Sequence, residues 1–219
     1  MKHVKLYTKI LFLALLTVLT GCAVTPYDYS ALREAKPRSV VVIPPTNSTV
    51  EVNAPYIYMS TISQPLAEKG YYVFPVAVVE RFMQENGLPT PAEMNAVPLE
   101  KIREHIGADA VLYINIEDWG QKYYITSSES VVKVSLKMVD ANNGNILWKS
   151  QPHAVQPSSN GGGGLIGAIA GAIATQIAGS ITDQTPEVSR IANKNAFDDQ
   201  YRGLLNGPYI KPEKLVTSN

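Results

Sequence analysis

Cysteine occurs once in the 219 residues, at Cys22, so the chain has no partner for a disulfide. With no cross-link to restrict the unfolded chain, order must come from a buried apolar core. The position of that cysteine is equally constraining. Lys2, Lys5 and Lys9 make the N-terminus positive, and Ile10 to Leu19 then runs apolar apart from Thr17. Such a run is too short to cross a bilayer as a helix, which takes about 20 residues, but it suits the central region of an export signal.

Leu19-Thr20-Gly21-Cys22 follows directly. Small residues leave room for a peptidase cutting before the cysteine, and the thiol is the nucleophile to which a diacylglycerol can be attached. The four residues resemble the lipobox of bacterial lipoproteins, so residues 1–21 are expected to be a signal peptide, with the mature chain held to a membrane through acylated Cys22. Each buried methylene contributes about 0.8 kcal/mol, and two or more acyl chains give stable anchoring. Residue 23 is Ala rather than Asp, which in enterobacterial-type sorting points to the outer membrane. Removing residues 1–21 takes away three lysines and no acid, so the net charge falls from 0 to −3. No basic excess remains to attract nucleic acid, and no nucleic-acid partner is expected.

The hydrophobic pattern divides the rest. Residues 22–38 read as a tether. Residues 39–156 read as an α/β domain in the order β-α-β-α-α-β-β-β. Ser39 to Ile43 has four consecutive β-branched residues, as in a strand covered on both faces. Met59, Ile62 and Leu66 are spaced for a helix ended by Gly70, with Pro65 expected to kink it. Val78, Val79, Phe82 and Met83 mark a second helix, and Leu99, Ile102 and Ile106 a third. Ala110 to Ile116 is a strand, and Val132, Val134, Leu136 and Met138 alternate as in a half-buried one. Asn143-Gly144 can supply the positive φ of a hairpin turn before Ile146 to Ser150. Parallel crossovers come first and a hairpin last, which predicts a mixed sheet layered with helices. Residues 157–206 read as a glycine-rich apolar helix followed by a second helix, with Val188, Ile191 and Asn195 on one side. Residues 207–219 read as a loose tail.

Catalytic motifs are missing. The mature chain has two histidines, His105 and His153, with no motif around either, and there is no HExxH, GxSxG or P-loop. Glu117 and Asp118 are neighbours at a strand end, where strict alternation would send them to opposite faces. The chain is therefore expected not to be an enzyme and to need no metal or cofactor. Tyr71-Tyr72 and Tyr123-Tyr124 could mark a partner surface, although alternation would bury one of each pair.

Two stretches, Ile106-Gly-Ala-Asp-Ala-Val-Leu-Tyr113 and Val132 to Trp148 with its Asp140-Ala-Asn-Asn-Gly144 turn, resemble the periplasmic α/β module of the curli-secretion lipoprotein CsgG, the TolB N-terminal domain and lipoprotein activators of peptidoglycan synthases. The whole chain is similar to a family of bacterial lipoproteins of unknown function, often encoded beside a CsgG-like lipoprotein. That resemblance implies a non-enzymatic envelope accessory serving assembly or secretion, with a CsgG-like lipoprotein as partner. The alternative it leaves open is an activator of a peptidoglycan synthase. It carries over no catalytic residue.

Gly163, Gly167, Gly171 and Gly179 recur at multiples of four, beside Ile166, Ile169, Ile173, Ile177 and Ile181, and no charge occurs from Ala154 to Thr182. A helix here would have no polar face, and each glycine would cost it about 1 kcal/mol against alanine. Three readings stay open: close packing on the chain's own sheet, a seam of a homo-oligomer, or membrane insertion.

Replacing the anchoring thiol tests the reading of the N-terminus. Cys22→Ala is expected to accumulate as an uncut precursor that takes up no fatty-acid analogue in metabolic labelling, whereas wild-type-level labelling of the variant would show that acylation lies elsewhere.

Overall fold

The computed structural model describes residues 26–124, 128–158 and 183–210. The sheet is built outward from one long antiparallel pair. β4 (Ala110–Tyr123) runs beside β5 (Ser128–Asp140) from Ala110↔Asp140 to Tyr123↔Ser128. On the other side of β4 lie β1 (Ser39–Val42) and its short continuation β2 (Thr46–Asn47), both parallel to β4 and separated by Pro44-Pro45. Proline has no N–H to give the ladder, so the strand breaks there. β3 (Tyr72–Val73) adds in parallel to β1. β6 (Ile146–Ser150) and β7 (His153–Ser158) both pair with the far side of β5, interrupted by Gln151-Pro152. The result is the expected mixed α/β sheet.

Alternation sorts the side chains. Val40, Val42, Leu112, Ile114, Ile116, Val134, Leu136, Met138 and Trp148 face one way and are buried. Two helices cover them. α2 (Ala54–Glu68) buries Met59, Ile62 and Leu66, the stripe its spacing predicts, together with Tyr58, and Pro65 sits within its uninterrupted last turns. α6 (Thr185–Asp198) buries Val188, Ala192, Ala196 and Phe197, with Phe197 stacked 5.4 Å from Trp148. The prediction for α6 needs correction, because Ile191 and Asn195 point to solvent. Polar pairing sets the rotation instead. Tyr58 and Thr61 of α2 meet Asn193 and Ser189 of α6, with the Thr61 and Ser189 hydroxyls 2.7 Å apart and Asn193 Nδ2 donating to Thr61 Oγ1 at 3.1 Å. Burial raises the Tyr58 phenol well above its ordinary pKa, so it stays a neutral donor to Asn193.

The opposite face carries Val41, Ile43 and Val111. It is covered by α3 (Val76–Glu85), α4 (Pro91–Asn95) and α5 (Leu99–His105), which place Val79, Met83, Met94 and Ile102 on it. Val78 and Phe82 remain exposed, so only half of the predicted α3 stripe is core. A capping box, Thr90 with Glu93, starts α4. Asp109 staples the beginnings of β1 and β4. Its carboxylate accepts from the Arg38 and Ser39 amides at 2.9 and 3.0 Å.

The segment read as a tether and the start of the tail read as loose are both tied down. In the tether, Tyr27 accepts from the Lys149 amide at 2.9 Å, Tyr29 donates to Gly203 O, and Leu32 of α1 (Ser30–Ala35) is buried. At the other end, Trp148 Nε1 donates to Arg202 O at 2.8 Å and Tyr71 to Leu205 O at 2.8 Å. Gly207 N then donates to Lys69 O at 2.6 Å, and Tyr209 N to Gly70 O at 3.0 Å. A Cβ on Gly207 would sit 2.5 Å from Gly70 O, so glycine is required there for backbone to meet backbone. Residues 207–210 are thus part of the fold, and 211–219 lie outside the described residues.

The β5–β6 turn forms as the sequence indicates. Asp140 Oδ1 accepts from the Asn142 amide at 2.7 Å, and Gly144, at φ +78°, closes the turn by donating to Asp140 O at 2.9 Å. Gly144→Val is expected to destabilise the protein by about 1–3 kcal/mol through backbone strain. A thermal or urea melt checks this, and an unchanged midpoint would remove the turn's requirement for glycine.

Candidate functional site: the open face of the sheet

The helices α3, α4 and α5 stop short of covering their face of the sheet. Beyond Val111 on β4 and Val139 on β5, the side chains pointing that way are Tyr113 and Asn115, opposite Lys137 and Ser135. They floor part of an open cleft of about 1320 Å³, which also reaches Leu99 and Ile146 and continues past Gln151-Pro152 to Asn195, Asp199 and Arg202 at the end of α6. Among the described residues, groups along this floor keep hydrogen-bonding capacity. Thr46 donates to Asn115 Oδ1 at 2.9 Å and Ser48 at 3.2 Å, which orients the amide and leaves its Nδ2 without an acceptor among the described residues. Tyr113 is half-buried, and desolvation raises its pKa, so its hydroxyl is neutral. Lys137 leans over its ring with Nζ 5.3 Å from the centroid, a cation–π contact. The cross-strand partner of Lys137 on β6 is Lys149.

Further along the same face, the structure corrects the reading of Glu117 and Asp118. The β4–β5 register shifts between Ile116 and Asp118. Ile116 and Trp119 both belong to the core cluster on the opposite face, so the two residues between them bulge out together. Alternation fails there, and both carboxylates share the open side. Each has its own lysine: Glu117 with Lys133 at 3.0 Å, Asp118 with Lys122 at 2.7 Å. His105 and His153 are both exposed and belong to different elements, α5 and β7. Among the described residues, no three His, Cys, Asp or Glu side chains gather as a metal site. Of the tyrosine pairs, Tyr71 is buried and Tyr72 is 52 % exposed, while Tyr123 and Tyr124 are both exposed near the tip of the β4–β5 ribbon. Leu19, Thr20, Gly21 and Cys22, and the stripe Gly163, Gly167, Gly171 and Gly179, lie outside the described residues.

The sequence offered little sign of this cleft, because an open face is defined by the helices that fail to reach it. One trace existed: in β5 the alternate positions Lys133, Ser135 and Lys137 are polar. Together the fold and the site define a layered α/β module in which, among the described residues, one end of a sheet face is left uncovered. The chain belongs to the family described as "Putative lipoprotein GNA1162-like", which it matches over residues 27–209. It is 38% identical over 209 residues to "Putative lipoprotein NMB1124/NMB1162" of Neisseria meningitidis serogroup B, covering 94% of this chain and 97% of that one. The crystal structure of lipoprotein GNA1162 from Neisseria meningitidis is similar with a TM-score of 0.55 and 39% identity, over 65% of this chain and 99% of that one. The C-terminal domain of LpoB from Salmonella enterica aligns at a TM-score of 0.38 and 18% identity, over 64% of this chain and 91% of that one, a likeness too distant to bear on function. No helix among the described residues is long and apolar enough to cross a membrane.

Solvated, individually paired carboxylates should matter little to stability. Glu117→Ala and Asp118→Ala are each expected to change the unfolding free energy by no more than about 1 kcal/mol. A denaturant titration checks this, and a loss of several kcal/mol would mean that the bulge itself depends on the ion pairs.

Proposed function

We propose that this protein is a lipid-anchored, non-enzymatic accessory of the cell envelope that binds another protein on the open face of its sheet. The observation that carries the reading is that face: among the described residues its floor leaves the Asn115 Nδ2 and the Lys137 and Lys149 ammonium groups without a hydrogen-bond or ion-pair partner, in a cleft where no base, nucleophile and orienting group come together. Membership of a lipoprotein family and the box ending at Cys22 support anchoring, and Ala23 supports the outer membrane. The sequence resemblance supports a CsgG-like lipoprotein as partner and a role in assembly or secretion.

The tether bears on the alternative, an activator of a peptidoglycan synthase. Tyr27 is already held by the Lys149 amide, so five residue steps link the acylated cysteine to the domain. Fully extended they reach about 18 Å. A module on so short a leash stays at the membrane that holds it, which favours a membrane-bound partner over a target far across the periplasm.

Crosslinking in intact membranes tests the proposal. Wild-type protein is expected to give a discrete adduct that Ser135→Tyr, which fills the cleft floor, reduces at least fivefold without lowering the melting temperature. Equal adducts from both proteins would move the binding surface elsewhere. Turnover by the purified protein that is abolished by changing His105, Glu117 or Asp118 would overturn the non-enzymatic reading.

A further inference from the structure

We propose that Lys137 and Lys149 together form a carboxylate clamp that recognises an extended acidic segment of a partner protein; this deepens the preceding reading of the open face and rests on it. The two lysines are direct cross-strand partners on β5 and β6. Their neighbours Met138 and Trp148, also paired, are fully buried on the other face, so both lysines emerge on the open one. Like charges placed directly opposite in a sheet disfavour the fold. Among the described residues neither has a carboxylate within ion-pair distance, although Lys69, Lys122, Lys133 and Lys194 all do.

Edge protection explains only half of this. A lysine on an edge strand discourages pairing with other chains, and β6 lies at the edge of the sheet, so Lys149 fits that role. Lys137 does not, because β5 is flanked by β4 on one side and β6 on the other. Its charge is held over the Tyr113 ring, which limits where the ammonium can go. Next along the floor come the Asn115 amide donor and the Ser135 hydroxyl, one cross-strand pair further on. Two cations followed by neutral donors along paired strands suit a ligand that presents carboxylates and then carbonyl oxygens along an extended backbone. A bilayer surface is flat and would meet protruding groups first, whereas Asn115 and Ser135 are partly buried in the floor of a cleft.

The test uses the full acylated chain in phosphatidylcholine nanodiscs and a fluorescein-labelled peptide, Glu-Thr-Glu-Thr-Glu, against its glutamine counterpart. Fluorescence anisotropy should show the glutamate peptide binding at least tenfold tighter, with that preference shrinking as salt is raised. K137Q and K149Q should each lose at least fivefold. K149E should lose binding while its melting temperature rises, because it turns a repulsive pair into an attractive one; that opposite movement separates recognition from damage to the fold. Absence of glutamate-peptide binding by the wild type, or equal binding by K137Q and K149Q, overturns the clamp. Phosphatidylglycerol vesicles that bind through the same two lysines more tightly than the peptide would assign the face to lipid headgroups and also overturn it. If the clamp fails while the Ser135-sensitive adduct persists, the proposal of a protein-binding accessory stands without it; loss of both removes that proposal as well.

Discussion

Everything else in the molecule hangs on the pairing of β4 with β5. This ladder supplies the centre of the sheet: β1 and β2 dock on β4, β6 and β7 on β5, and β3 adds outside β1. The hairpin that makes it is local in sequence, closed across residues 124–127, so forming it carries a small loop-closure cost. β1 must then come from about seventy residues away to lie parallel to β4. The Asp109 carboxylate, bonded to the Arg38 and Ser39 amides, marks where that long-range docking registers. Losing the Asp109 carboxylate would leave both backbone amides at the strand entry without their acceptor.

The chain ends close the structure around this centre. Trp148, Phe197, Ile62 and Leu66 are among the most deeply buried side chains, each worth about 1.5–3 kcal/mol on transfer from water. Phe197 and its neighbours in α6 follow a long stretch of chain outside the described residues, so their burial alone would leave the helix free to rotate or slide on α2. The polar seam removes that freedom. Tyr58, Thr61, Ser189 and Asn193 satisfy one another only in one alignment, and a slip would bury unpaired donors and acceptors at a cost of about 1–3 kcal/mol each.

What the sequence could show of this depended on the kind of signal. Apolar runs and spacings marked β1, α2, α5 and the core face of β5, and the Asp140-to-Asn145 turn was legible because its side-chain bonds are local. The length of β4 was not. The Glu117-Asp118 bulge breaks the period of two just where the strand leaves the core, so the last part of the ribbon looked like a strand end. The same bulge hid the shared side of the two carboxylates. The α6 stripe was misread at Ile191 and Asn195 because hydrophobicity points to the wrong residues when the contact is made by Ser189 and Asn193. The packing of Tyr27, Leu32, Gly207 and Tyr209 rests on single hydrogen bonds and close backbone approach, which leave no periodic trace.

Tyr27 joins the two ends of the functional argument. It lines the cleft that holds Lys137 and Lys149, and it accepts from the backbone of Lys149 itself. With lipid on Cys22, as proposed, the leash therefore arrives at the rim of the cleft, and the lysine pair lies near the membrane surface. Any partner that uses this face must bring its acidic segment there, within about 18 Å plus the size of the module. Anchoring both proteins in one membrane would raise their effective concentration at the cleft, so a weak carboxylate clamp would suffice for stable association. A soluble partner would gain nothing from the anchor and would need far more contact area than two lysines and a short row of donors provide.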